Sequence, residues 1–390
     1  MLEGVNVALG VSGSIAAVKV VELAHELRRN GAAVRGVMTH SAQGIIHPWA
    51  VEFATEHDVV TELTGRVEHV ELCGREGWAD VLLLAPATAN TVGKVAAAVD
   101  DTPVTTCATT ALGADVPVVV APAMHEPMYD HPGVLDAIAR LEEWGVDFVD
   151  PRVEEGKAKI DTEDAIVTGV AKAVTDQSLD GKKVVVTAGA TSEPVDPVRL
   201  LTNRASGKTG RAVARACHIR GADVTLVHDG SALHDDVHYA DVRQAETGAE
   251  MLAAVEAACR DADALVSAAA ISDFTVDASD EKIRSGEPRT LELEPTPKLI
   301  DTMREEYSGL TIVGFKAETS GDDEAMTAEA RRILDRAKLA FVVANDASVM
   351  GADETRTLFV RRDTAEEFVG SKDALGVRIA TELAAELDEG

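Results

Sequence analysis

The chain has 390 residues, 46% of them hydrophobic and only 3% aromatic, enough for two domains whose cores are filled by Val, Leu, Ile and Ala. Its formal charge of -30 argues against nucleic acid and anionic lipid as partners, because such a field repels phosphate and any phosphate-bearing ligand needs local donors. The apolar runs near 81–87 and 116–123 are too short to span a bilayer, and residues 1–4 carry no basic leader, so a cytoplasmic protein without a membrane partner is expected. The acidity, with Arg favoured over Lys, further suggests a high-salt cytoplasm in which counterions screen self-repulsion. Cys73, Cys107, Cys217 and Cys259 make no CxxC pair and no framework spacing, which fits reduced thiols and leaves any metal ligands unknown.

Residues 5–11 read as a buried strand, and Ser12-Gly13-Ser14 follows as a tight loop before a helical pattern over 15–30 capped by Gly31. Small residues let the backbone approach a phosphate, whose charge is favoured at a helix start. A plain strand-to-helix turn is the other reading, since there is no GxGxxG. Strands at 33–38 and 79–84 end in Thr39-His40-Ser41-Ala42 and Ala85-Pro86-Ala87-Thr88-Ala89-Asn90, and 118–129 again breaks from strand into loop. Parallel strands share one carboxyl edge, where Ser12, Ser14, Thr39, Ser41, Thr88 and Asn90 can converge on one ligand.

Ser12-Gly13-Ser14-Ile15-Ala16-Ala17, Trp78-Ala79-Asp80, residues 85–90 and Pro122-Ala123-Met124 together resemble the flavin-dependent cysteine decarboxylases, which include the phosphopantothenoylcysteine and lantibiotic decarboxylases. The resemblance implies a flavodoxin-like fold and FMN bound at a trimer interface. Its contacts would be Ser12, Gly13, Ser14, Thr39, Ser41, Pro86, Thr88, Asn90 and Met124. The implied chemistry is oxidation of a cysteinyl thiol followed by loss of carbon dioxide. His69 falls on the family's catalytic histidine, and imidazole titrates near neutrality as a proton carrier must; a surface histidine between Glu68 and Glu71 is the alternative. Two departures stand out. The family's Pro-Ala-Met-Asn ends in His125 here, which can still donate to a carboxylate. The flap at 154–160 lacks the proton-donating Cys of bacterial members, leaving Lys157 and Lys159 as proton source or as phosphate ligands.

Residues 172–181 turn polar and end in Gly181, as a boundary does, placing one domain over 1–175 and a second over 182–390. The second opens with a β-branched strand at 182–189, a polar loop at 202–209 and a helical pattern over 210–220 stopped by Gly221, as a parallel βαβ unit begins. Gly207-Lys208-Thr209 is not a P-loop, since Thr202 stands where that motif needs Gly. Residues 203–208, between strand and helix, nonetheless suit an anion.

Residues 187–199 with 202–208 resemble the phosphopantothenate-cysteine ligases. So do Ala268-Ala269-Ala270 with Asp273-Phe274, Glu281-Lys282-Ile283, residues 314–319 and Ala344-Asn345-Asp346. Decarboxylase followed by ligase is the order in the bifunctional proteins of coenzyme A biosynthesis. The resemblance implies a Rossmann-like ligase domain that joins 4′-phosphopantothenate to cysteine with CTP, or ATP in some relatives. The first domain would then act on the phosphopantothenoylcysteine. A carboxylate attacking a nucleotide α-phosphate gathers negative charge, which Mg2+ or Mn2+ with Arg199, Lys208 and Lys282 can neutralise. By resemblance Asn203 stabilises the acyl-nucleotide, Lys282 closes over the site on a mobile lid, and Ala269, Asp273, Phe315 and Lys338 touch the nucleotide. Trimer contacts through the first domain and dimer contacts through the second would build a homo-oligomeric dodecamer. Two other readings remain at this level. One keeps the ligase with a flavin-binding regulatory or degenerate first domain, and one is a nicotinamide-dependent oxidoreductase resting on fold analogy.

Overall fold

A computed structural model describes residues 1–154, 157–230, 237–286, 288–318, 322–346 and 354–388, with the side chains of Val153, Glu154, Lys157, Glu318, Asp346 and Glu354 left aside. The chain divides into two compact units, Met1–Asp176 and Gln177–Gly390. Among the described residues no helix is long and apolar enough to cross a membrane.

In the first unit five parallel strands run in the order Ala33–Met38, Asn6–Val11, Val81–Ala87, Val118–Pro122, Asp147–Phe148. This is a flavodoxin-like order, and the switch lies between Asn6–Val11 and Val81–Ala87, where the first loops diverge and open a crevice. The strands Val81–Ala87 and Val118–Pro122 are apolar at every position and buried; Leu82, Leu84 and Val120 meet Cys107 and Leu141 in one cluster. A small antiparallel sheet, Met124–His125 with Lys157–Lys159 and Arg152–Glu154, stands beside it.

The second unit carries an eight-stranded sheet in the order Asp241–Gln244, Asp223–His228, Lys183–Ala188, Ala264–Ser267, Thr311–Glu318, Phe341–Asp346, Glu354–Val360, Ala365–Ser371. The first six are parallel, and the last two are added through antiparallel pairings, so that Glu354–Val360 alone runs the other way. That is the Rossmann-like order, with its switch between Lys183–Ala188 and Ala264–Ser267. Both faces are packed, by Val213, Cys217, Ile379 and Leu383 on one side and Met251, Val255, Met303 and Leu334 on the other.

Two helix readings need correction. Residues 15–30 are a 3-10 turn, Ile15–Lys19, followed by the α-helix Val20–Arg29. Ala17 N–H bonds the Ser14 carbonyl at 2.8 Å, and that three-residue closure winds the first turn tightly. The helix expected over 210–220 is Lys208–Ile219, because Gly207, at φ +69, turns the chain into the helix two residues earlier.

Candidate active sites

Four strand ends build the first site. Ser12 Oγ donates to the Pro86 carbonyl at 2.7 Å and accepts the Thr88 N–H at 3.0 Å, pinning the first loop to the third strand. Ser14 Oγ donates to the Ala123 carbonyl at 3.2 Å, tying the loop to the fourth. Thr39 and Thr88 cap the helices His40–Gln43 and Ala89–Ala96. Gly13 lies so close to the Thr39-Ser41 turn that a Cβ there would stand 2.5 Å from Ser41 Oγ.

Beside this loop opens a cavity of 590 Å3, lined on its apolar side by Ile15, Val18, Met124 and Met128 and on its polar side by Gly13, Ser14, Thr88, His125, Arg152 and Lys159. An apolar slot ending at small-residue loops and helix starts suits a flat ring with an anionic tail. Thr39, Ser41 and Pro86 support the loop from behind, and Asn90 is exposed on the first turn of its helix, so none of the four lines the cavity itself.

His125 stands opposite Lys157 in the small sheet, and Arg152 opposite Lys159. That pairing folds Arg152 and Lys159 to the cavity, where Arg152 also meets Asp161 at 3.3 Å. The sequence reading missed Arg152 because its role depends on strand pairing; the alternation Lys157-Ala158-Lys159 was the available signal.

His69 occupies the short helix Glu68–Cys73, does not line the cavity, and leaves its buried Nδ1 without a hydrogen bond. All four thiols are free and buried, and none lines the cavity. A hydrogen bond with Cys73, together with burial, holds the Cys107 thiol far above its ordinary value, and burial pushes Cys217 and Cys259 up to about 12.

The second site is a crevice at the carboxyl ends of Lys183–Ala188, Ala264–Ser267 and Thr311–Glu318. It comprises two adjoining cavities of 500 and 310 Å3 that share Ala269, Ile271, Asp273, Phe315 and Lys316. Asn203 and Lys208 line the larger, where Asn203 Nδ2 donates to the Ala270 carbonyl at 3.0 Å. Ala269 N–H bonds Thr187 Oγ1 at 3.1 Å, which aligns the small-residue turn with the crevice floor. Asp273 at the rim is paired with Lys298.

Cations outnumber carboxylates here, against the sign of the whole chain: Lys208, Lys298, Lys316, Arg332 and Arg336 line the crevice beside Asp273 and Glu329, with Arg332 paired to Glu329 and Arg336 to Asp301. Arg332 and Arg336 lie one turn apart on the helix Asp323–Ala337, and that spacing was legible though unused. Lys338 is a correction. It caps that helix in the left-handed region at φ +48 and leads into the amino end of Phe341–Asp346, whereas the crevice lies at the carboxyl ends; the Lys338 carbonyl accepts from Arg304.

Arg199 and Lys282 also stand off both cavities. Arg199 is paired with Asp196 and donates to the Ile283 carbonyl at 3.0 Å, while Asp196 accepts the Ile283 N–H at 3.0 Å. The chain between the paired strands Phe274–Val276 and Leu293–Pro295 is thus fastened to the hairpin Ser192–Asp196/Arg199–Thr202 one residue beyond Lys282.

Folds and sites of this kind define a two-unit α/β enzyme, each unit with a crevice at the carboxyl ends of its parallel strands. Residues 1–175 match the flavoprotein family model, and residues 179–387 match the DNA/pantothenate metabolism flavoprotein C-terminal domain. The chain belongs to the bifunctional coenzyme A biosynthesis proteins, which combine a flavoprotein decarboxylase domain with a ligase domain. It is 49% identical over 370 residues to the coenzyme A biosynthesis bifunctional protein CoaBC of Thermococcus kodakarensis, covering 94% of this chain and 91% of that one. Identity to the Bacillus subtilis protein of the same name is 34%, over 90% and 88% of the two chains. Among solved structures, the FMN-dependent cysteine decarboxylase SpaF is 33% identical and covers 45% of this chain and 100% of its own, with a TM-score of 0.40. Family membership removes the nicotinamide reading and does not favour a degenerate first domain.

Proposed function

We propose that the second unit joins 4′-phosphopantothenate to cysteine at the expense of CTP, and that the first converts the phosphopantothenoylcysteine to 4′-phosphopantetheine with FMN. The observation that carries the ligase reading is the cluster of cations on one crevice of a chain whose net charge is -30. Such a local reversal of sign concentrates polyanions. The substrate carboxylate attacks the nucleotide α-phosphorus and diphosphate leaves; the cysteine amine then attacks the acyl carbon and the nucleoside monophosphate departs. Lys208, Lys316, Arg332 and Arg336 gather the phosphates, with Mg2+ arriving on them. Asn203 donates to the acyl-nucleotide, Ala269, Asp273 and Phe315 frame the nucleotide, and Lys282 comes down with its segment when the crevice is filled.

In the first unit the Ser12-Gly13-Ser14 loop and the capped helix starts would hold the phosphate of FMN, and Ile15, Val18 and Met124 would supply the apolar wall for its ring. FMN held there would supply the two-electron acceptor that thiol oxidation requires and the matching donor for the reduction that completes the reaction. His125 and Arg152 hold the substrate's carboxylate, and Lys159 delivers the proton that a flap cysteine gives elsewhere, since no thiol of this unit lines the cavity. His69 acts from a neighbouring copy in a trimer of first units, and dimers of second units complete a dodecamer.

The test is to incubate the protein with 4′-phosphopantothenate, cysteine, Mg2+ and either CTP or ATP, and to weigh the products. Diphosphate release and the masses of both products are expected with CTP. A protein that stays colourless after FMN is supplied and leaves both nucleotides uncleaved refutes the reading.

A further inference from the structure

The loop that closes on the anion in the second unit is held from behind by residues that no motif accounts for. His228, the last residue of the strand Asp223–His228, is fully buried. Its Nε2 lies 2.9 Å from Arg211 Nη1, and its Nδ1 lies 2.8 Å from Asp229 Oδ1. The same Arg211 nitrogen donates to the Ser206 carbonyl at 3.1 Å, and Asp229 Oδ2 accepts the Ala190 N–H at 3.0 Å.

One protonation pattern satisfies this chain of contacts. Guanidinium only donates, so Nε2 must keep its lone pair, and a neutral imidazole then carries its proton on Nδ1, where it donates to Asp229. The Gly230 N–H is also 3.0 Å from Nδ1, but with Nδ1 protonated that contact has no lone pair to accept it. Burial favours the same neutral form.

We infer that Asp229, His228 and Arg211 are positioning residues that set two loops of the ligase crevice against each other: residues 189–191, after the first strand, and residues 203–208, before the helix Lys208–Ile219. The packing between the loops leaves no slack. A Cβ on Gly207 would stand 2.8 Å from both Gly189 N and His228 Nε2, and one on Gly189 would stand 2.4 Å from Asp229 Cγ. Gly189 and Ser206 both line the crevice, so a slip of either loop displaces the backbone that faces the phosphates. Thr202 Oγ1 ties the far end of the first loop to the second through the Thr191 carbonyl at 2.9 Å; carboxylate, imidazole and guanidinium add a second tie at the Gly189–Ala190 end, where Gly207 packs. The inference rests on the reading of this crevice as the ligase site.

Two measurements on the full chain test it. In hydrogen exchange, R211M should speed exchange at residues 189–191 as well as at 203–208, and H228L, which leaves the Arg211–Ser206 hydrogen bond in place, should speed it at 189–191. In steady-state kinetics, R211M and H228L should raise KM for CTP about tenfold, the usual loss for one charge-assisted hydrogen bond, with carbon dioxide release by the first unit unchanged. H228Q keeps an acceptor near the Nε2 position for Arg211 and should recover part of that loss. If residues 189–191 exchange at the wild-type rate in R211M, or if H228Q is as impaired as H228L, the inference is overturned. Should H228L fail to fold, R211M decides, because it removes a half-buried charge without leaving another in its place. A wild-type chain that cleaves no nucleotide would sink the ligase reading, and the exchange experiment would still judge the brace.

Discussion

Replacing Gly13 with Ala tests the first site at its tightest point. The added Cβ would lie 2.5 Å from Ser41 Oγ, 2.6 Å from Ser41 Cβ and 3.2 Å from Ser41 C. Gly13 has no left-handed φ, so the cost is steric, and overpacking of this kind costs about 1–3 kcal/mol. If the loop yields only when FMN binds, that range weakens FMN by about 5- to 150-fold at ~1.4 kcal/mol per decade. If the free protein bears the strain, it lowers Tm instead, by ~2–4 °C per kcal/mol in a unit of this size. Fluorescence titration of FMN and a thermal melt together capture both outcomes. Ser41→Gly is the control. It removes the two nearest atoms, though it forfeits the 3.2 Å contact with Thr39 Oγ1, a loss of about 0.5–1.5 kcal/mol. In the double variant the two losses should partly cancel, giving a coupling of opposite sign to either. Wild-type FMN affinity and Tm in Gly13→Ala would refute the contact, and strict additivity would refute Ser41 as its partner.

In the crevice of the second unit, Arg332→Met and Arg336→Met should each raise KM for CTP about tenfold through loss of a charged phosphate contact, whereas Lys338→Met should leave it within about twofold; the opposite order would return Lys338 to the site. His228 gives a pH signature. Burial pulls its pKa below the ordinary 6.5, with Asp229 opposing and Arg211 adding to the effect. Between the two pKa values the unfolded chain holds a proton that the folded chain does not, so stability rises with pH there. The second unit should therefore hold this contribution above about pH 6.5 and lose it as pH falls below. Urea melts from pH 8 to 5 should show a slope that flattens in H228Q, and an unchanged slope would exclude His228 as its source. Finally, a charge of -30 predicts that Tm climbs with potassium chloride as self-repulsion is screened; a melt insensitive to salt up to molar concentration would end the high-salt reading.

Much of the fold was legible because the strands announce themselves. Runs such as Val184-Val185-Val186 and Leu82-Leu83-Leu84 are buried on both faces, and continuous apolar runs of that length separated by helical patterns leave few alternatives to parallel sheets. Local motifs were legible for the same reason: Ser12-Gly13-Ser14 and residues 203–208 are contiguous in sequence and sit at the switch points by topology alone. What stayed hidden is set by long-range packing. Arg152 reaches the first cavity through an antiparallel pairing, and Arg332 and Arg336 reach the second crevice from a helix whose next residues, including Lys338, turn away from it. A one-residue difference along a helix rotates a side chain by about 100°, so an alignment that slips there loses the facing residue even when the element is right.

The hidden residues also differ in kind from the legible ones. Asn203 and Lys208 occupy a loop whose backbone an anion can approach, and their identity follows from that chemistry. His228 and Arg211 lie behind the point where Gly207 and Gly189 pack closely with no side chains of their own, so the hold there comes from the strand and helix behind the loop. Arg199 makes the same point from the other side. Its charge suits a phosphate, yet here Asp196 and the Ile283 carbonyl engage its guanidinium, and its action on a ligand would require that fastening to open. Arg332 and Arg336 also have partners, Glu329 and Asp301, but they line the crevice, whereas Arg199 lines neither cavity and belongs first to the segment that carries Lys282.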